Sequence, residues 1–437
     1  MKALLNFIKK PLIEYDFFLS MPYNMRVLLV TNMVYAFVLP VVDIFVSAYI
    51  MRSSNDPTLV ATYQLFLYVG IPFTFLINGF LLNKFNISNL YSFGMLLSGI
   101  SMLIMMSLDN MDLFGVAFAG LIMGSSFGFF WANRDFLALI TTNDDNRNYY
   151  YGLETFFFTT TSIIIPFAVG SFLVSYQSFD WLKNGDITAA YQVVTYCVLA
   201  VTVISGIIIH KGKFSNPSQK KFIYFKFDKL WGKMLFLSGL KGLAQGFLVT
   251  APAILILRLV GDENSLGIVQ SISGIVTAIA LYIIGRVAKP KHRIAIFTVG
   301  LFIFFIGALA NASLFSATGV MIFVLCLVLF RPLHDIAYFP IQMKVIDILS
   351  KKENRSEFAY IFNHEFGLFV GRFLGLTLFI VLSTYVSIDF SLKYSILIIA
   401  ALQLISIPVA KHITKAANNE HKEKPSSTPE ATTIKSA

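Results

Sequence analysis

Along this chain the apolar positions do not form the narrow stripes of soluble helices. They gather into long unbroken runs separated by short polar breaks. Runs long enough to cross roughly 30 Å of hydrocarbon occupy 26–50, 58–82, 90–107, 113–140, 149–175 and 188–210. A lysine-rich pause at 211–231 follows, and then six more runs at 232–257, 264–286, 293–310, 317–345, 356–383 and 390–411. The pattern predicts an all-α membrane protein of twelve transmembrane helices, built as an N-terminal six-helix bundle (26–210), a basic linker (211–231) and a C-terminal six-helix bundle (232–411). Residues 1–25 mix Lys2, Lys9, Lys10, Glu14 and Asp16 with aromatics and lack a cleavable leader pattern, so they read as an N-terminal interfacial segment. The Ser/Thr/Pro/Lys/Glu stretch 412–437 is expected to be a disordered tail.

Composition supports the membrane reading: 56% of the 437 residues are hydrophobic and 13% charged, too few polar groups to cover a soluble core of this size. Cys197 and Cys326 both lie inside apolar runs, which argues against a disulfide framework or a metal site. Most of the 34 Lys and Arg fall in loops that share one side, among them Arg26, Lys84, Arg147, the linker lysines and Lys289. The other side keeps Arg52, Lys183, Arg258 and Lys393. By the tendency of basic loops to stay cytoplasmic, both termini are expected inside, in a multi-pass protein of the inner (plasma) membrane. The net charge of +10 then faces anionic lipid and requires no nucleic-acid partner.

The two halves echo each other. Asp145-Asn146-Arg147 precedes the fifth run and Glu353-Asn354-Arg355 the eleventh, at matching places in the two bundles.

Charges inside the runs carry the candidate chemistry, because each costs about 2.5–3.5 kcal/mol at the centre of a membrane helix and needs a partner or a wet cavity. They are Asp43, Asp135, Glu154, Asp335, Glu365, Arg134, Lys241, Arg331 and Arg372, with His334 and His364 beside them. Counting the helical rise from each inner end sets Arg134 and Glu154 near the cytoplasmic face, able to pair between the fourth and fifth helices. Lys241, His334, Asp335, His364 and Glu365 fall near the midplane. Asp43, Arg331 and Arg372 fall nearer the outer side. Helical spacing groups Arg331, His334, Asp335 and Tyr338 on one stripe, Ser238, Lys241 and Gln245 on another, and Asn32, Tyr35, Asp43 and Ser47 on a third. Trp131 shares a stripe with Phe127, Phe130 and Arg134. Tyr149, Tyr150 and Tyr151 read as an interfacial anchoring belt. Gly120, Gly124, Gly128 and Gly367, Gly371, Gly375 read as ladders for close helix approach.

This architecture resembles the major facilitator superfamily, with its two six-helix halves and long basic middle loop. Gly79, Leu81 and Lys84 fit that family's loop signature, although Asn83 replaces its acid; Gly285, Arg286 and Arg293 remain of the second copy. Arg134-Asp135 and the Asp145-Asn146-Arg147 loop are similar to the loops of its sugar–cation symporters. The helix-five signature of its drug antiporters is reduced here to Ile165-Pro166 and Gly170. The resemblance implies that the first, fourth, seventh and tenth helices line a central cavity and that site residues lie near the midplane.

The expected function is secondary active transport of a small polar organic solute, sugar-like by preference, through proton-coupled symport; proton-coupled efflux of drugs or metabolites is the alternative. Lys241, Gln245, Arg331, His334, Asp335, Glu365, Arg372 and Asp43 are the expected substrate and coupling residues. Tyr35, Trp131 and Tyr338 are expected cavity aromatics, and Arg134, Asp135, Arg147, Glu154 and Arg355 an inner gate. No cofactor beyond an ion gradient and no metal is expected, and the protein should act as a monomer with lipid and solute as its only partners. Short loops without a nucleotide or metal motif argue against a membrane-embedded enzyme.

Overall fold

The computed structural model describes residues 15–108, 110–142, 144–176, 187–216, 223–287, 290–355 and 357–422. Among them the regular structure is helical throughout, without a strand. Before the linker come α1 (Tyr23–Ser54), α2 (Pro57–Leu81), α3 (Ile87–Met106), α4 (Leu113–Thr141), α5 (Asp144–Tyr176) and α6 (Ile187–Ile209). After it come α7 (Lys229–Leu259), α8 (Glu263–Val287), α9 (Arg293–Leu314), α10 (Ala317–Glu353), α11 (Glu357–Tyr385) and α12 (Ile388–Lys422). Among the described residues, eleven of these helices are long and apolar enough to span a bilayer; α8, of 25 residues, is the other. The interfacial segment at 1–14 and the tail beyond 422 lie outside the described residues.

Local sequence sets the ends. Asp56 accepts the Thr58 amide at 2.8 Å and Pro57 opens α2, where its missing N–H costs nothing. Asp228 caps α7 through the Leu230 amide at 2.8 Å, so that helix begins inside the stretch read as linker. α1 and α10 end at Asn55 and Asn354 in left-handed backbone (φ 52° and 49°), which asparagine tolerates. α12 turns at Leu404 and Ile405 and continues as Ser406–Lys422, burying Ala410, Ile413 and Ala417. The first part of the expected tail is therefore an amphipathic helix.

The face where α1 begins and α12 ends is called the terminal face, and the opposite one the far face. Two glycine ladders hold the halves internally. A Cβ on Gly120 or Gly124 of α4 would meet the carbonyl oxygens of Tyr63 or Leu67 on α2, and one on Gly371 or Gly375 of α11 those of Gly239 or Leu243 on α7. Two seams join the halves, α2 against α11 and α5 against α8. On the second seam Gly170 and Gly267 bring backbones together, the former against Glu263 O and the latter against Pro166 O. Ser271 Oγ donates across it to Ile163 O at 2.7 Å.

The halves also meet at the far face. The segments Val46–Ser54 of α1 and Ala251–Leu259 of α7 touch there. Arg52 Nη1 lies 3.3 Å from Glu263 Oε2, and Thr58 Oγ1 is 2.9 Å from Ser383 Oγ. These bonds tie the halves together at that end.

Candidate functional site

The site is built around two interrupted helices at corresponding places in the two halves. In α1 the helix turns at Ala36 and Phe37, passes Pro40 and widens into a π segment at Val41–Phe45 that carries Asp43. In α7 it breaks at Val249 and Thr250, just before Pro252. Proline lacks an N–H and cannot satisfy the carbonyl four residues earlier. In α7 that carbonyl belongs to Leu248, and Arg331 Nη2 of α10 donates to it at 2.9 Å.

Between the halves lies a cavity of about 420 Å³. Its charged groups are Asp43 from α1 and Arg331 from α10, both exposed to it. Its polar lining adds Thr159 and Ser162 of α5 and Gln270, Ser273 and Thr277 of α8. Among the described residues Asp43 forms no hydrogen bond and no ion pair within 4.0 Å. A solitary carboxylate within the membrane region is costly unless water, a proton or a cationic group reaches it.

Arg331 also lines a second chamber, of about 200 Å³, with Lys241, Gln245, His334, Asp335 and Gln403. Here the charges are paired. Lys241 Nζ is 2.9 Å and His334 Nδ1 3.0 Å from Asp335 Oδ1. Lys241 also sits over the rings of Tyr338 and Phe339, at 4.3 and 3.9 Å, where a desolvated ammonium gains from the aromatic faces. Beside this chamber Arg372 donates from Nε and Nη2 to Gln245 Oε1 at 3.2 and 2.9 Å. Its Nη1 lies 3.7 Å from Glu365 Oε2, and its guanidinium covers Tyr68 of the opposite half at 4.8 Å.

The remaining sequence-predicted residues are distributed more widely. Tyr338 is fully buried, stacked on His334 and bonded through its hydroxyl to His364 Nε2 at 2.7 Å. Tyr35 is fully buried on Phe130, with its hydroxyl 3.2 Å from Ser98. Trp131 packs between Phe130 and Phe158. None of the three lines either cavity, and the larger one is walled by α5 and α8 rather than α4.

Toward the terminal face, Arg134 holds Glu154 through Nε at 3.0 Å and through Nη2, and Asp135 through Nη1 at 2.7 Å. Glu154, buried to 2% exposure, also accepts from Asn32 Nδ2 at 2.7 Å and Tyr150 OH at 3.2 Å. Tyr91 OH completes the set on Asn32 Oδ1 at 2.5 Å. Tyr150 therefore belongs to the interior of the N-terminal half and not to an interfacial belt. Arg355 pairs with Glu353 at 3.0 Å and donates to Lys226 O at 2.6 Å, tying the end of α10 to the linker. The side chain of Arg147 lies outside the described residues.

The polar residues that α5 and α8 bring to the cavity are uncharged and do not stand out in the sequence as the charged ones do. Gln270, Ser273 and Thr277 do recur at helical spacing, and that signal was available. Tyr91 left none, since its partner Asn32 sits on α1, whereas Tyr150 stands one helical turn before Glu154 on α5.

No protein-family model matches this chain, and no curated protein does. Solved structures do. The POT family transporter PepTSo aligns at 8% identity and a TM-score of 0.70, over 92% of this chain and 99% of its own. The nucleoside transporter NupG aligns at 10% identity and 0.65, over 90% and 100%. An inward-facing bacterial homologue of the iron transporter ferroportin aligns at 13% and 0.65, over 90% and 98%. The chain has the fold of these transporters, which are of the major facilitator type.

Proposed function

We propose that the protein is a secondary active transporter that moves a small polar organic solute by alternating access, with a proton as the coupling ion. The observation that carries this reading is the hollow between the halves, in which an unpaired Asp43 faces the cavity opposite Arg331. A rigid structural network would have matched these charges to each other, as it has matched Arg134 to Glu154. Left apart in a solute-sized space, they are available to cargo and to a proton.

The reading includes a twelfth span, α8, which is needed for both halves to contribute six helices. It also includes cytoplasmic termini, which make the terminal face the inner one in keeping with its basic loops. In this reading the latch of the far face by Arg52–Glu263 and Thr58–Ser383 is that of an inward-facing state. The reverse tilt would break those contacts and bring the terminal ends together. The paired Lys241–Asp335–His334 chamber then serves as a neighbour whose ion pair responds when Arg331 engages solute. Hydroxyl and amide groups on α5 and α8 suit a hydroxyl-rich cargo such as a sugar.

The test is uptake into proteoliposomes carrying the full chain under an imposed pH gradient, with a panel of radiolabelled sugars, nucleosides and peptides. Accumulation that collapses with the gradient and is lost in Asp43→Asn, while counterflow exchange survives, supports the reading. Gradient-independent movement, or full coupling in Asp43→Asn, overturns it.

A further inference from the structure

On the side of α7 opposite its Ser238–Lys241–Gln245 stripe, the helix surface is uncovered. The cause is the turn in α12. Ile388–Gln403 runs beside α11, but Ser406–Lys422 crosses onto α7, α9 and α10. Between α11 and that last segment a cleft opens toward the terminal face, floored by α7.

Two cavities fill the cleft and meet at Phe236. One, of about 500 Å³, runs between α7 and α11 over Gly239, Leu243, Gly367, Val370 and Leu374. The other, of about 650 Å³, lies between α7 and α12 at the mouth and is lined by Lys229, Gly232, Lys233, Pro408 and His412. From Lys229 to Leu243 the floor extends roughly 20 Å at the helical rise. It is smooth: a Cβ on Gly232 would meet nothing within 4 Å, and one on Gly239 would touch only Gly367 O, at 3.8 Å.

The mouth is cationic and the interior apolar. Lys233 Nζ lies 2.5 Å from His412 Nε2, and Lys229 is exposed beside it. Among the described residues neither cavity has a carboxylate in its lining. The nearby Asp228 is engaged elsewhere, by the Leu230 amide and by Lys352 Nζ at 2.9 Å. A greasy channel with exposed lysines at the level of the helix ends matches one chemical class, an amphiphile with an anionic head.

We propose that this cleft binds an acidic phospholipid, its phosphate held by Lys229 and Lys233 and one acyl chain laid along Phe236, Gly239 and Leu243 against Val370 and Leu374. The bound lipid rests on the α7–α11 glycine contact and braces the C-terminal half from outside, independently of what the central cavity carries.

The experiment uses the full chain in neutral detergent, with thermal unfolding followed after addition of phosphatidylglycerol, phosphatidylcholine or inorganic phosphate. Phosphatidylglycerol should raise the midpoint by several degrees more than phosphatidylcholine, and phosphate alone should leave it unchanged. The paired substitution Lys229→Gln with Lys233→Gln, at two exposed positions, should abolish that excess. Phosphatidylglycerol bearing a diazirine in its chain should label peptides containing Phe236–Leu243 and Val370–Leu374 in the wild type, and label them several-fold less in the paired variant. An equal excess in both proteins, an equal shift with phosphate alone, or labelling of those peptides that the substitutions do not reduce overturns the proposal.

Discussion

Arg331 of α10 donates to the carbonyl oxygen of Leu248 at 2.9 Å, and that oxygen is the one Pro252 leaves without a helical donor. The bond fixes the guanidinium at the wall shared by both cavities. One residue thus repairs a broken helix and presents a cation to the centre of the molecule.

Removing this donor should separate the two roles. Arg331→Met leaves the Leu248 carbonyl unsatisfied, at a cost of about 1–3 kcal/mol, and should lower the thermal midpoint in detergent. Adding Pro252→Ala restores a backbone donor to that oxygen and should recover part of the stability. Solute uptake should stay lost in the double variant. Recovery of uptake along with stability would mean that the guanidinium serves the fold alone.

The buried network of the N-terminal half predicts a non-additive pair. Glu154→Leu leaves Arg134 only its half-exposed partner Asp135 and should destabilise by about 1–3 kcal/mol. Replacing both with leucine removes two charges together and should cost markedly less than the sum of the single changes. Denaturation of the four proteins in one detergent measures the coupling; simple additivity would show that the two do not act as a unit.

At the far face, Arg52 is about half exposed while Glu263 is buried. Water screening limits such a pair to about 1 kcal/mol or less, a population change of roughly fivefold at most. Arg52→Ala should therefore add a longer component to the distance distribution between spin labels at Asn55 and Gly261, which flank the latch from opposite halves. An unchanged distribution would remove the pair from the closing mechanism.

The start of α8 supplies a pH-dependent cap. The Ser265 amide, donating to Asp262 Oδ1 at 2.9 Å, and the Ser265 hydroxyl, at 3.0 Å, hold that carboxyl below its usual range. A depressed carboxylate contributes stability above its unfolded value of about 3.9, and the contribution is lost as pH falls through the lower folded value. Thermal scans between about pH 7 and about pH 3 should show a smaller acid-side loss in Asp262→Asn than in the wild type. Equal losses would assign the acid sensitivity to other groups.

The helices were legible because a lipid-spanning segment writes itself as a long apolar run, and their ends were not, because polar residues continue a helix once it leaves the hydrocarbon. α5 therefore begins at Asp144 and α10 continues to Glu353, each several residues beyond its apolar run. In the site, spacing along one helix identified Arg331, His334 and Asp335 as neighbours. It could not reveal that Tyr338 turns toward His364 on α11, or that Asn32 leaves the Asp43 stripe to meet Glu154 on α5. Those choices depend on which helix stands opposite, and a single sequence carries that information only weakly. The glycines were an exception: a row of small residues states that something approaches closely, and α2 and α7 are what approach.

The breaks in α1 and α7 stand beside the central cavity, one in each half. A body that bends at mid-height moves most at its rims and least at the bend. In the proposed alternating-access cycle, Asp43 and Arg331, standing beside those breaks, would keep nearly the same separation while the rims exchange places, so that whatever rests between them changes the side it faces without being let go.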